Sequence, residues 1–311
     1  MAPKAKDKVV LSLKRPVVEP IVQRVRSIDE LPFDVLDRVF SYLKSHPKAL
    51  FACSEAHPFL SQIVEKYRFH HIIISTGLGV SKFPCTFNPY DLRKELAKTP
   101  RIVQYVAILQ FEFNYAQHQA DSECLLASFW EKVAPKILAY YLEEIASLLP
   151  MFPVLECIML PTLSYTLKFL WQETQSFRSA LENCLHLPTL QEVHIGDMSF
   201  PLSMLDNHAN INHLALSGPP KIEPEYLETT CPQIKSLTLE GFECDRSQAF
   251  RTWAKRHIVG LQSLKSDLSC SEIILDVLKI CSNTLENLYL CLQRPGLPGN
   301  KLSPLLESHC A

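Results

Sequence analysis

A helical apolar stripe near the amino end is the clearest pattern in the chain. Apolar residues recur three and four positions apart through residues 31–43, with acidic and polar residues between them. Pro32 falls near the first turn, where its missing N–H leaves no helical hydrogen bond unmade, and Asp34 suits the positive end of a helix dipole. The spacing predicts an amphipathic helix whose apolar side must be covered, formed by Leu31, Val35, Leu36, Val39, Phe40 and Leu43.

Two more helical segments follow closely. Pro47 is placed to open a second helix that continues through Leu50, and Phe59 begins a third apolar group that ends near Val64. A unit of about 45 residues has too much surface for its volume to bury every apolar side chain. We therefore interpret residues 28–72 as a small helical module with an apolar docking face. The alternative is an ordinary amphipathic helix packed on its own domain.

A different pattern recurs through much of the remaining chain. Each copy has the form apolar-x-x-apolar-x-apolar, where x is a variable residue. Copies that start at 190, 211, 234, 261 and 285 lie 21, 23, 27 and 24 positions apart. The copy at 261 has Ser266 in its third place, and an earlier candidate starts at Val103. The clear copies are Leu155-Ile158-Leu160, Leu190-Val193-Ile195, Ile211-Leu214-Leu216, Ile234-Leu237-Leu239 and Leu285-Leu288-Leu290.

Segments between the copies have the spacing of helices, at residues 137–149, 177–185, 249–258 and 272–281. Repeats of about 20–29 residues that alternate a short strand with a helix stack into a curved solenoid, because each unit buries its apolar residues against its neighbours. The alternative is an irregular α/β or all-helical domain in which the copies arise by chance. The number and spacing of the copies favour the solenoid.

Composition narrows the classes of function. The chain has 311 residues, 47% of them hydrophobic, and a net charge of −2, unlike proteins that coat nucleic acid by bulk charge. The basic residues 1–27 are expected to form a disordered leader. Eleven scattered cysteines indicate reduced thiols in the cytoplasm or nucleus. We recognise no signal peptide and no apolar run of membrane-spanning length, so we do not expect a membrane as a partner. Because the net charge is close to zero, we do not expect nucleic acid as a partner either.

Motifs that carry catalysis or hold metal are absent from the sequence. It contains no phosphate-binding glycine loop, no His-Glu-x-x-His and no Gly-x-Ser-x-Gly. Cys231, Cys244 and Cys270 lack zinc-site spacing, and His208 and His213 are five apart and read as surface residues. The sequence therefore predicts no catalytic residue, no metal and no cofactor. A hydrolase would need a paired nucleophile and base that no motif supplies.

The run Leu-Pro-Phe-Asp-Val-Leu-Asp-Arg-Val-Phe-Ser-Tyr-Leu at residues 31–43 resembles the opening of an F-box. Cys53 and Ser54 match a small pair in that family, and Phe59 stands near its usual tryptophan. An F-box docks a substrate receptor on the Skp-type adaptor of a cullin–RING ubiquitin ligase. The resemblance implies a non-catalytic receptor in ubiquitin-dependent degradation, with adaptor contacts at Leu31, Pro32, Val35, Leu36, Val39, Phe40, Leu43, Leu50 and Phe59.

The second pattern resembles a leucine-rich repeat. The family commonly places asparagine after the last core position, where this chain has Met198, Pro219, Phe242 and Gln293, so we expect a degenerate, irregular array. Variable strand positions of such a solenoid line its concave surface and are free to specify a partner. Our candidates for contacts to an unknown target protein are His194, His213, Thr238, Glu240, Lys265 and Tyr289.

The expected architecture after the leader is α/β in three parts. Residues 28–72 form the F-box-like helical module, 73–100 a linker or irregular first repeat, and 101–311 the leucine-rich-repeat-like α/β solenoid. A receptor of this type would hold its target near a ubiquitin-conjugating enzyme and contribute position rather than bond chemistry. The alternative function is a repeat-based protein-interaction scaffold outside any ligase, with the helical module as a cap for the solenoid.

Overall fold

A computed structural model describes residues 28–44, 46–76, 85–112, 127–161, 174–196, 200–205, 208–217, 233–241, 247–267 and 271–291. The predicted basic leader lies outside these residues, as do the four positions where the repeat family has asparagine: Met198, Pro219, Phe242 and Gln293.

The described residues form helices and strands in close alternation. The α-helices are α1 (Phe33–Tyr42), α2 (Pro47–Ala56), α3 (Pro58–Arg68), α4 (Pro89–Lys98), α5 (Ala127–Leu148), α6 (Gln175–Leu185), α7 (Ser247–His257) and α8 (Ser271–Cys281). The strands are β1 (His71–Ser75), β2 (Thr86–Phe87), β3 (Ile108–Glu112), β4 (Cys157–Leu160), β5 (Glu192–Ile195), β6 (His213–Ser217), β7 (Ser236–Glu240), β8 (Ser263–Asp267) and β9 (Asn287–Cys291).

Local sequence explains where the first helices begin. Pro47 and Pro58 occupy the first turns of α2 and α3, where a fixed φ suits the helix and a missing N–H has no partner to lose. The His57 side chain caps α3 by accepting a hydrogen bond from the Phe59 N–H at 3.2 Å. The three helices share a core of their own, formed by Leu36, Phe40, Leu50, Leu60, Ile63 and Val64.

The strands form one parallel sheet in the order β2-β1-β3-β4-β5-β6-β7-β8-β9. One hydrogen-bond arrangement recurs along it: the carbonyl after the first apolar residue of one copy accepts two N–H groups from the next copy. The Gln191 carbonyl, for example, accepts from Asn212 and His213 at 2.9 and 3.0 Å. The predicted α/β class is confirmed, and the recurrence is compatible with a solenoid-like arrangement.

The repeated apolar positions form the core between the sheet and its helices. From β3 to β8 the second apolar position of each copy is buried and stacks in register with the next, on the face that α4–α8 cover. A fully buried side chain of this size contributes roughly 1.5–3 kcal/mol. This ladder consists of Leu109, Ile158, Val193, Leu214, Leu237 and Leu264.

The first copies of the pattern differ from the sequence prediction. The copy predicted at Val103 is displaced by three residues, because Val103 belongs to a 3-10 helix (Pro100–Gln104) and the buried positions begin at Val106. An additional copy begins at Phe69 and forms β1, so that this strand crosses the boundary predicted between residues 72 and 73. Its buried residues are Phe69, Ile72 and Ile74.

The helices predicted between the copies are confirmed. Segments 137–149, 177–185, 249–258 and 272–281 overlap α5, α6, α7 and α8, because each buries residues three and four apart against the sheet. Within the described part of the chain, no helix combines the length and the apolar character needed to cross a membrane.

Candidate functional site

Helix α1 divides the predicted apolar stripe into a covered and an open half. Leu36 and Phe40 lie in the three-helix core and are 2% and 3% exposed. Val35 and Val39, on the adjoining side of the helix, are 43% and 49% exposed, and Tyr42 is 71% exposed. Spacings of four and three residues keep Val35, Val39 and Tyr42 in one row along the helix. We call this row the α1 stripe.

The other adaptor-contact candidates fall on both sides of that division. Leu50 is buried in the three-helix core, and Pro32 is exposed at the start of α1. Three candidates are half-buried against the core: Leu31, Leu43 and Phe59. Tyr42 was not among the candidates, because a tyrosine suits either side of an amphipathic helix and only the packing shows where it lies.

Polar contacts hold α1 on α3. Lys66 forms an ion pair with Asp37, and the Tyr67 hydroxyl donates to the Asp37 carbonyl oxygen at 2.9 Å. The hydrogen bond from Lys66 holds the pKa of the Asp37 carboxyl below its ordinary value of 3.8, against the opposing effect of burial. The α1 stripe is therefore presented by a helix whose inner side is already docked.

The sheet turns its other face outward as a polar surface. Residues that alternate with the buried positions point away from the helices. The registers align them across strands, with Thr238 opposite Lys265 and Lys265 opposite Tyr289. They extend from β5 to β9, roughly 20 Å at the usual strand separation. All six predicted target contacts lie on this surface, the polar sheet face: His194, His213, Thr238, Glu240, Lys265 and Tyr289.

Charged groups influence one another across the polar sheet face. Burial raises the pKa of the Glu240 carboxyl above 4.5; Asp267 adds to this effect, whereas Lys265 and His194 oppose it. Asp267 is itself buried, and its Oδ2 accepts the N–H of Gly241 at 2.9 Å. Gly241 has a φ of +60°, a left-handed conformation that favours glycine, and it follows the last residue of β7.

Three chemically different side chains meet where β4 adjoins β5. Cys157 pairs in register with Glu192, and His194 lies two residues further along β5. His194 Nε2 is 2.7 Å from Glu192 Oε1, and with Cys157 Sγ these ligand atoms all lie within 4.8 Å of one another. Burial, reinforced by the Glu192 carboxylate, raises the pKa of the Cys157 thiol well above its usual range.

Sequence reasoning did not find two members of this surface. Cys157 reads as a small core hydrophobe, because it is separated from Glu192 by 35 positions and belongs to another strand. Asp267 reads as an ordinary polar residue at the end of a copy. The only sequence signal for the cluster is the Glu192-x-His194 spacing, which places both side chains on one face of a strand.

The two surfaces are suited to binding. The α1 stripe offers apolar side chains, and the polar sheet face offers hydrogen-bonding groups, charges of both signs and an exposed aromatic ring, Tyr289. A scan against protein-family models and a search of curated proteins give no match to this chain.

Proposed function

We propose that the chain is the substrate-recognition subunit of an F-box-type cullin–RING ubiquitin ligase. In this proposal α1–α3 bind a Skp-type adaptor, and a leucine-rich-repeat-like sheet binds a target protein. The observation that carries the proposal is the α1 stripe. It lies on a helix with F-box-like sequence, and it is exposed although the inner row of the same helix is already packed.

Exposure of the α1 stripe supports adaptor binding on energetic grounds. Apolar side chains spaced in such a row act as anchors when an amphipathic helix docks into an apolar groove. Full burial of one valine-sized side chain is worth roughly 1.5–3 kcal/mol. Ile28 and Phe33 are also exposed at the amino end of the unit and enlarge the apolar area. The inner row keeps the unit folded, so the outer row is available to another protein.

The polar sheet face is the proposed target-binding surface. The registers of the parallel strands align their outward-facing side chains across the sheet, so a target can contact several repeats at once. Tyr289 is exposed, and tyrosine is a frequent interface anchor. Glu240 and Lys265 supply opposite charges close to one another. Target specificity would then depend on residues that alternate with the core and that can vary without disturbing it.

In this role the chain positions the target protein near the ubiquitin-conjugating enzyme and carries out no bond chemistry itself. Adaptor and target are held on one polypeptide, and holding reactants in place removes much of the entropic barrier to transfer. Contacts between α3 and residues next to the first strands favour a fixed position of the α1 stripe relative to the polar sheet face. Glu65 pairs with Arg101 at 2.6 Å, and the Cys85 thiol donates to the Arg68 carbonyl oxygen at 2.9 Å.

The test is the affinity of the full chain for a purified Skp-type adaptor. Val39→Asp puts a carboxylate in the middle of the α1 stripe. We expect affinity to fall by roughly 10–100-fold or more, because the buried valine contributes about 1.5–3 kcal/mol and an unpaired buried charge adds a penalty. Titration calorimetry measures the loss.

Two variants control for the added charge. Ser41→Asp introduces the same carboxylate on the polar side of α1, and Leu275→Asp introduces it at an exposed leucine of α8. Both should bind the adaptor like the wild type, and all three variants should keep the wild-type circular dichroism. Wild-type affinity in Val39→Asp, or a wild-type chain that does not bind the adaptor, contradicts the proposal.

A repeat-based scaffold outside any ligase is the second candidate. The Glu65–Arg101 and Cys85–Arg68 contacts are compatible with this function as well, because they are the contacts expected if α1–α3 cap the amino end of the sheet. In that case the chain binds no adaptor, and Val39→Asp changes neither binding nor stability. The same titration therefore separates the two candidates.

A further inference from the structure

The geometry points to a second site: Cys157, Glu192 and His194 form a binding site for a divalent transition-metal ion, with Zn²⁺ as the best-suited ion. The site lies on the polar sheet face where β4 adjoins β5. This inference does not rest on the proposed ligase function, because it needs only the sheet and is tested without an adaptor or target.

Strand geometry brings the three side chains together. Glu192 and His194 are two positions apart on β5, so both leave the same face of the sheet, and Cys157 faces Glu192 from the neighbouring strand. Their ligand atoms lie within 4.8 Å of one another. Ligands around tetrahedral Zn²⁺, with bonds near 2.0–2.3 Å, are roughly 3.3–3.6 Å apart. Small side-chain rotations therefore close the set on an ion, with the 2.7 Å His194–Glu192 contact opening slightly.

The donor atoms select the class of ion. Thiolate sulfur, imidazole nitrogen and carboxylate oxygen are the three ligand types that zinc takes in proteins, and three protein ligands leave a fourth position for water or another group. Mg²⁺ and Ca²⁺ prefer shells of oxygen, so the Cys157 sulfur disfavours them. A thiolate and a carboxylate together carry two negative charges, which match the charge of the ion.

The three side chains differ in burial, and the difference protects the thiol while leaving the cluster accessible to an ion. Cys157 is buried, which protects the sulfur, whereas the side chains of Glu192 and His194 are each 30% exposed and open a path from the polar sheet face. On the next strand the residue opposite His194 is Ala215, whose small side chain leaves space beside the imidazole. An ion can therefore reach the cluster without unfolding the sheet.

Hydrogen bonds connect all three members of the cluster, because His194 pairs with Glu192 and the Cys157 thiol donates to the Glu192 carboxylate. An imidazole and a carboxylate pair on many sheet surfaces without a metal. A small apolar residue would fill the buried position of Cys157 equally well, whereas only a thiol adds a soft ligand beside that pair. A bound cation would also stabilise the thiolate that neighbouring carboxylates otherwise disfavour.

The test uses the reduced, metal-free full chain and titration with Co²⁺ followed by Zn²⁺. We expect one equivalent of Co²⁺ to produce a thiolate-to-cobalt charge-transfer band and the visible bands of tetrahedral cobalt, and Zn²⁺ to remove both by displacement. Cys157→Ser should lose the charge-transfer band. Glu192→Gln and His194→Gln should weaken Zn²⁺ binding by at least the roughly 10–100-fold typical of losing an outer-shell partner.

Cys184→Ser is the matched control, because Cys184 is another buried thiol, placed 3.7 Å from the Leu149 carbonyl oxygen and outside the cluster. It should keep the wild-type spectrum and affinity. Zn²⁺ should raise the unfolding temperature of the wild type and of this control but not of Cys157→Ser, whose circular dichroism should be unchanged. No charge-transfer band in the wild type, its persistence in Cys157→Ser, or unchanged zinc affinity in both Glu192→Gln and His194→Gln overturns the assignment.

Discussion

The three-helix unit and the sheet bury their apolar residues to different degrees. The unit has a core of six residues among those described, and it leaves the α1 stripe in solvent. From β3 to β8 the sheet buries the second apolar position of each copy of the repeated pattern, and it turns polar side chains outward. Size explains the contrast, because a module of about 45 residues encloses too little volume to cover all its apolar surface.

The contrast shows how two apolar periodicities, one helical and one of period two, lead to two kinds of surface. On α1 the apolar arc is wider than the neighbouring helices cover, so a row of it remains available for docking. On the strands a strict period of two puts the apolar residues on the helix side. The last strand differs from the others, because all five residues of β9 are exposed, including the apolar residues Leu288 and Leu290.

Truncation of core leucines has the largest expected effect and tests whether the two parts have separate cores. Leu237→Ala in the sheet and Leu50→Ala in the three-helix unit should each lower the free energy of unfolding by about 2–5 kcal/mol, because both leucines are buried. Hydrogen exchange should lose protection mainly in the strands for Leu237→Ala and mainly in α1–α3 for Leu50→Ala.

Leu275→Ala is the matched control for these truncations, since Leu275 is an exposed leucine in α8. Its free energy of unfolding should change by less than about 0.5 kcal/mol. If either core variant loses protection equally in both parts, the two parts do not have separate cores.

A substitution of the left-handed residue after β7 should have an intermediate effect. Gly241→Ala should lower the free energy of unfolding by about 1 kcal/mol, because a left-handed conformation costs an L-residue roughly 1–2 kcal/mol and the stiffer unfolded chain offsets part of this. Among the described residues other than the chain neighbours of Gly241, no atom lies within 4 Å of the position of the added Cβ, so the cost is conformational. Urea denaturation measures it. Gly241→Asn should lose less, since asparagine tolerates this conformation, and a larger loss in Gly241→Asn would refute the explanation.

The smallest expected effects depend on pH and have opposite signs in the two parts. The pKa of Asp37 is lowered in the folded state, so its contribution is present above 3.8 and is lost as the pH falls through the lowered pKa. The pKa of Glu240 is raised in the folded state, so its contribution is greatest below 4.5 and is lost as the pH rises through the raised pKa.

Asp37→Asn should therefore be less stable than the wild type at neutral pH, and Glu240→Gln slightly more stable. Both differences should shrink in acid, and the first should stay within about 1 kcal/mol because the Asp37–Lys66 pair is partly exposed. Urea midpoints at neutral and acidic pH measure both variants. A Glu240→Gln variant that is less stable than the wild type at neutral pH would show that the partly buried Glu240 carboxylate carries no electrostatic cost.

Local periodicity predicts a large part of the fold. The spacing around Val39 predicts α1, and the copies at Leu190, Ile211 and Ile234 predict β5, β6 and β7, because a strand with one covered face repeats every two residues. The copy near β3 was displaced because Val103 and Val106 both suit the first position. Only packing shows that Val106 is buried and that Val103 belongs to a 3-10 helix.

The sequence by itself determined the class of the fold, the positions of most strands and six residues of the polar sheet face, from His194 to Tyr289. The tertiary structure alone decided that Val35 and Val39 are open while Leu36 is covered, and that Cys157 meets Glu192. The physical reason is that periodicity is a property of a short segment, whereas coverage and cross-strand register depend on residues that are distant along the chain.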